Sequence, residues 1–162
     1  MKLTIGIIAI IICTFFAYRA SVKYTKRKVF YDDFGAFNDK LKSEIAFSKN
    51  TILSLVASIN DESDFGVLLK RRFNKNENVN ALYEGSIARE LKYLKRADVD
   101  FINDYFYSIG KADGVTELKI INKYGEEIFK NLSVAVSDEK KYRPLYVKLG
   151  FLLGILVLIL LL

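Results

Sequence analysis

LTIGIIAIIICTFFAY, from Leu3 to Tyr18, carries no charge, and the stretch that follows it, RASVKYTKRK, from Arg19 to Lys28, carries five cations and no acid. Wound as a helix at 1.5 Å per residue, the uncharged run reaches roughly 24 Å, slightly short of the ~30 Å hydrocarbon core of a bilayer. Phe15, Phe16 and Tyr18 fall at its end, where an interfacial aromatic belt belongs. A cleaved secretory signal is the rival reading. Its nearest cleavage site, Ala17-Tyr18-Arg19-Ala20, puts Arg19 in an unfavourable position, so a retained anchor is expected.

The other end mirrors this. LGFLLGILVLILLL, from Leu149 to Leu162, is also uncharged and reaches roughly 21 Å as a helix. Extension back through Pro144-Leu145-Tyr146-Val147 lengthens it, with Lys148 free to snorkel toward headgroups. Gly150 and Gly154 stand four apart, a small-xxx-small spacing that lets a second helix approach closely. Lys140, Lys141, Arg143 and Lys148 precede this segment as Arg19, Lys23, Lys26, Arg27 and Lys28 follow the first, and Lys2 alone lies outside. Basic residues beside a membrane segment stay on the cytoplasmic side. The middle is therefore expected inside and both termini outside.

Charge counts point the same way. The chain has 162 residues and a formal net charge of +6, but the excess sits in Lys2 and Arg19–Lys28; without these the remainder carries 19 basic and 19 acidic residues. A nucleic-acid-binding domain would carry its cations as a patch on the folded part, so no nucleic-acid partner is expected. There is no histidine, which removes the commonest general base, metal ligand and pH switch, and the single cysteine, Cys13, has no partner for a disulfide.

Between the anchors, helical periodicity dominates. Phe30, Phe34, Phe37, Leu41 and Ile45 form a stripe at three- and four-residue spacing, on a helix continuing from the first anchor. Asn50 or Thr51 caps a short helix bearing Ile52, Leu55, Val56 and Ile59, and Asn60 to Asp64 form a loop and cap. Phe65, Leu68, Leu69 and Phe73 mark the next helix. Asn74 to Asn80 read as a polar loop, and Ser86 to Arg96 carry Ile87, Leu91 and Leu94. Asp98 caps a helix through Phe101, Ile102, Tyr105 and Ile109 that Gly110 ends, and Lys111 to Gly114 turn. From Thr116 a long helix carries Leu118, Ile121, Ile128, Leu132 and Ala135 toward the second anchor, with a kink expected at Pro144. The expected fold is all-α: a membrane-anchored helical bundle with one transmembrane helix at each end. Its parts are 1–21 (anchor), 22–143 (cytoplasmic bundle) and 144–162 (anchor).

No reaction is legible. Phosphate-cradling glycine loops are missing, and Glu84-Gly85-Ser86-Ile87-Ala88 lacks the second glycine of a nucleophile elbow. Asp98 with Asp100, and Glu126 with Glu127, are too close in sequence to face one another on a helix. No catalytic residue, cofactor site or metal site is expected, and the chain reads as a non-enzyme.

Leu41-Lys42-Ser43-Glu44-Ile45-Ala46-Phe47-Ser48 resembles the Leu-x-x-Glu-Ile-x-Tyr that closes the first cytoplasmic helix of the stage III sporulation protein AB family. Lys148-Leu149-Gly150-Phe151-Leu152-Leu153-Gly154 is similar to that family's terminal Leu-Gly-Phe-Leu-x-Gly anchor. Ile109-Gly110 with Asp113-Gly114 is comparable to its Gly-x-x-Leu-Gly-x-x-Asp stretch before the last long helix. The chain departs where the family often has a proline, at Asn50-Thr51-Ile52, and at Val115-Thr116-Glu117, where a polar, often glutamine-containing segment is usual. The resemblance implies a mother-cell membrane protein of the channel complex joining mother cell and forespore. It further implies a cytoplasmic domain similar to the platform (F) component of type II secretion and type IV pilus machines. Partners would be the lipid bilayer, other membrane proteins of the complex, a secretion-type ATPase and, as a homo-oligomer, further copies of the chain. A membrane-anchored adaptor of another secretion or pilus-like machine is the alternative.

Overall fold

The computed structural model describes residues 2–47, 55–56, 63–75, 79–85 and 91–161. Apart from short turns these are helical, with no strand among the described residues, as the all-α expectation requires. The helices are α1 (Lys2–Phe47), α2 (Asp64–Lys75), α3 (Val79–Glu84), α4 (Arg96–Ser108) and α5 (Gly114–Leu161). Of the short helix expected after Asn50, only Leu55 and Val56 lie in the described residues, where both are helical and buried. Its Ile52 and Ile59, the loop from Asn60 to Glu62, and Ile87 lie outside them. Two compact units arise, 1–28 with 133–162 and 29–132, and helices α1 and α5 contribute to both.

In the unit of 29–132 four residues of the stripe on α1, Phe30, Phe34, Phe37 and Leu41, are nearly or fully buried, while Ile45 at its end is half-buried. Phe34 is central. Its ring lies 5.0 Å from Phe65 on α2, 4.8 Å from Tyr105 and 6.3 Å from Phe106 on α4, edge-on or offset-stacked as aromatic quadrupoles prefer. Leu68, Leu69, Leu82, Leu91, Ile102 and Ile121 close the core around these rings. Two buried polar side chains on α1 are tied across it. The Tyr31 hydroxyl donates to Asp98 Oδ1 at 2.7 Å, and Asn38 Oδ1 accepts from the Tyr105 hydroxyl at 3.1 Å. Burial holds the Tyr105 phenol protonated, its pKa raised well above the usual value with Glu117 adding to the effect, so it remains a donor.

The helix ends refine the sequence expectations. Ser63 caps α2, its hydroxyl accepting from the Gly66 amide at 3.0 Å. Val79 and Asn80, expected in a loop, open α3, because Val79 and Leu82 share a buried face. Of the helix expected over Ser86 to Arg96, residues 86–90 lie outside the described residues; Leu91 is helical, and Lys92 to Leu94 form a turn, closed by the Leu94 amide on the Leu91 carbonyl, with both leucines buried. Asp98 is not the first cap of α4 but sits one turn in. Lys95 precedes the helix, and its amide donates to Asp98 Oδ2 at 2.8 Å, which satisfies one orphan donor from inside. Gly110 ends this segment with φ 78°, a left-handed conformation that glycine adopts at no steric cost. The buried Glu117 carboxylate then accepts from the Gly110 amide at 2.6 Å and the Ala112 amide at 3.3 Å, fixing the turn into α5. α5 starts at Gly114, two residues earlier than expected. Asp113 caps it: the Thr116 hydroxyl, with backbone amides of the first turn, holds the carboxyl below its ordinary pKa. α5 continues through Pro144 as one element, the proline ring costing it the amide that would have reached the Lys140 carbonyl.

Candidate functional site

The unit of 1–28 with 133–162 brings the sequence-marked cations and glycines together. Both of its helices are long and apolar enough to cross a membrane. Gly150 and Gly154 face α1 at close quarters. A Cβ on Gly150 would collide with Ala17 and come within 2.9 Å of the Cys13 carbonyl, and one on Gly154 would come within 3.1 Å of Ile10 Cβ. Gly6, on α1, meets Leu158 in the same manner, so close approach is built from both helices.

The nine flanking cations divide. Arg19, Lys23, Lys26, Lys140, Lys141 and Lys148 are exposed. Arg27 is buried and reaches Asp138 Oδ2 at 3.3 Å, while Lys28 and Arg143 approach Glu139 at 3.3 and 3.4 Å. The Thr25 hydroxyl adds a 2.8 Å bond to Glu139 and, with Lys28, holds that carboxyl below the ordinary glutamate range. Tyrosines interleave with these cations. Tyr24 stacks on Tyr142 at 5.3 Å and meets Tyr146 edge-on at 5.7 Å, and Lys23 Nζ lies 5.3 Å from the Tyr146 ring centre. Arg143 lies 5.8 Å from the Tyr18 ring. Aromatic bodies with polar tips beside lysines are what a headgroup layer accommodates. Sequence reading marked the cations but not the Arg27–Asp138 and Lys28–Glu139 pairs, whose partners are more than 100 residues apart. Only the acidic Asp138-Glu139 inside a basic flank hinted at them.

A second feature belongs to the unit of 29–132 and had no motif to announce it. Between α1 and α5 runs an open groove of about 840 Å3. Gly35, Ala36 and Gly125 are among its lining residues, and a Cβ on Gly125 would come within 2.9 Å of Asn38 Nδ2. Asp32, Asp39 and Glu126 stand exposed along it, with Asp33 half-buried beside them. Burial, aided by the neighbouring carboxylates of Asp32 and Asp64, raises the pKa of Asp33, partly countered by a hydrogen bond with Ser63. Phe129, one residue past the buried Ile128, is 72% exposed over the groove. An aromatic out of register with the apolar stripe was the one available signal. Among the described residues no three His, Cys, Asp or Glu side chains are grouped to hold a metal ion.

No curated protein matches the chain, and no solved structure does. A family model does: from residue 2 to residue 162 the match is to stage III sporulation protein AB, and the chain belongs to that family.

Proposed function

We propose that this chain is a non-catalytic membrane scaffold of the channel complex between mother cell and forespore, coupling a secretion-type ATPase in the cytoplasm to membrane partners. Family membership assigns the chain to stage III of sporulation. The finer reading is supported above all by one arrangement: two apolar helices leave the same aromatic-cored helical unit and pack against each other through glycines. Such a body offers a motor a firm surface joined by continuous helices to the bilayer. The exposed cations that flank both apolar segments support a cytoplasmic position for residues 29–132 by the positive-inside rule, with both termini outside.

Crosslinking in sporulating cells followed by recovery of the tagged chain tests the partner: a secretion-type ATPase is expected among the products, and its absence overturns the coupling role. Topology is tested separately with Lys123→Cys in the Cys13→Ser chain. A membrane-impermeant maleimide added to intact cells is expected to leave it unlabelled; labelling from outside removes the basis of the proposal.

A further inference from the structure

The groove between α1 and α5 in the unit of 29–132 lacks the usual filling of a helix–helix seam. Its lining includes the small residues Gly35, Ala36 and Gly125; Gly35 and Gly125 bring α1 and α5 close, and the groove beside them stays open. Phe129 offers an exposed ring at one edge. Four carboxylates line the groove against the single cation Lys42, and among the described residues Asp32, Asp39 and Glu126 are held in no ion pair. Burial first, and then the neighbouring carboxylates of Asp32 and Asp64, raise the pKa of Asp33. Asn38, 3% exposed, lines the groove as well. Its amide nitrogen carries two hydrogens and reaches one acceptor, the Ile121 carbonyl, at a long 3.4 Å.

We infer that this groove docks a basic amphipathic helix of a partner protein. One apolar side chain of that helix packs on Phe129, and its lysines or arginines meet Asp32, Asp39 and Glu126. The charge selects the occupant. Anionic headgroups and nucleic-acid phosphates are repelled by the same carboxylates that attract a cationic helix, and such steering acts chiefly on encounter rate and partner choice. The lining residues recur at three- and four-residue spacing, Asp32, Ala36 and Asp39 on α1 and Asn122, Glu126 and Phe129 on α5, so each helix turns one face to the groove, as a helix-in-groove mode requires. This inference rests on the proposed cytoplasmic placement of the unit, and it names the face that a protein partner uses.

The test is photocrosslinking in sporulating cells with p-benzoylphenylalanine in place of Phe129 in the full chain, and in place of Tyr107, 70% exposed, as the control position. The expected result is an adduct specific to the Phe129 position. Its partner peptide, mapped by mass spectrometry, should carry Lys or Arg around apolar residues at helical spacing. The adduct should fall about tenfold in the Asp32→Lys, Asp39→Lys, Glu126→Lys triple variant, with Asp39→Asn plus Glu126→Gln intermediate. All these positions are exposed, so membrane levels of the chain should hold. An adduct to lipid or to a second copy of the chain overturns the inference. So does a partner segment without cations, a yield unchanged in both charge variants, or no adduct above the Tyr107 level. The two proposals fail separately. Recovery of an ATPase with no adduct at Phe129 sinks the groove alone, whereas an adduct to a basic helix with no ATPase among the recovered products sinks the motor partner alone.

Discussion

The same two helices are held together by opposite means in the two units. Between 29 and 132, α1 and α5 are joined through a core of large rings by way of α4: Phe34 touches aromatics from α2 and α4, Tyr105 of α4 meets Tyr124 of α5, and Tyr31 and Asn38 are hydrogen-bonded within the core. In the terminal unit the helices meet where side chains are missing, at Gly6, Gly150 and Gly154, and are clamped by Arg27–Asp138 and Lys28–Glu139. Ring burial is rewarded where water is the alternative solvent. In the bilayer setting proposed above, lipid tails solvate a leucine as well as a neighbouring helix does, so close backbone approach and polar clamps must supply the association.

Substitutions in the full chain in micelles, followed by hydrogen exchange resolved along the sequence, probe this contrast. Phe34→Ala empties the centre of the ring cluster and should cost about 3–5 kcal/mol. Protection should collapse through Arg96–Ser108 while 133–148 keeps its own. Uniform loss across both would show that the units are not separately held. Tyr31→Phe removes the only hydroxyl on that ring and leaves buried Asp98 short of a donor, for about 1–3 kcal/mol, read in the same α4 peptides. If α4 protection stayed at the parent level, the buried bond would be of no consequence.

Gly154→Val forces the terminal helices apart. Its expected cost of about 1–2 kcal/mol is read as reduced disulfide yield between Tyr24→Cys and Tyr142→Cys in the Cys13→Ser chain. An undiminished yield would mean that glycine contact is not what joins them.

The smallest effects differ in sign with pH. Glu139 has a lowered pKa, so the folded form holds its proton less tightly than the unfolded one. Its stabilisation is complete above the ordinary carboxylate range and is lost as pH falls through the folded value. Asp33 has a raised pKa, so its ionised form is penalised above the folded value, and stability rises as pH falls from there toward the ordinary aspartate value. Glu139→Gln should therefore flatten the acid loss of protection in 133–148. Asp33→Asn should raise protection of α1 near Asp33 at pH 7, which a neutral or negative result would contradict.

Much of this was legible locally. Phe30, Phe34, Phe37 and Leu41 declared α1, and the left-handed Gly110 declared the end of α4, because helical periodicity and glycine's freedom act within a few residues. Tyr31 and Asn38 were missed because each sits one position off the stripe; α1 is covered over a wider face than the pattern shows, and only neighbours from distant sequence make that so. Asp98 was placed at the cap because its chemistry suits that position, yet the same carboxylate serves the cap from one turn inside. The groove was invisible for a similar reason. Gly35, Gly125, Asp39 and Glu126 acquire meaning only when α1 and α5 stand side by side.

Glu117 uses both carboxylate oxygens on the amides of Gly110 and Ala112, at a turn where the Gly110 backbone is left-handed. A glutamine there would set its own amide against one of those amides, and an aspartate is a methylene too short to reach from the same position. Descent should therefore pass the two positions on as a linked pair: lineages that lose the glycine should also release the glutamate, and the spacing of seven between them should tolerate no insertion.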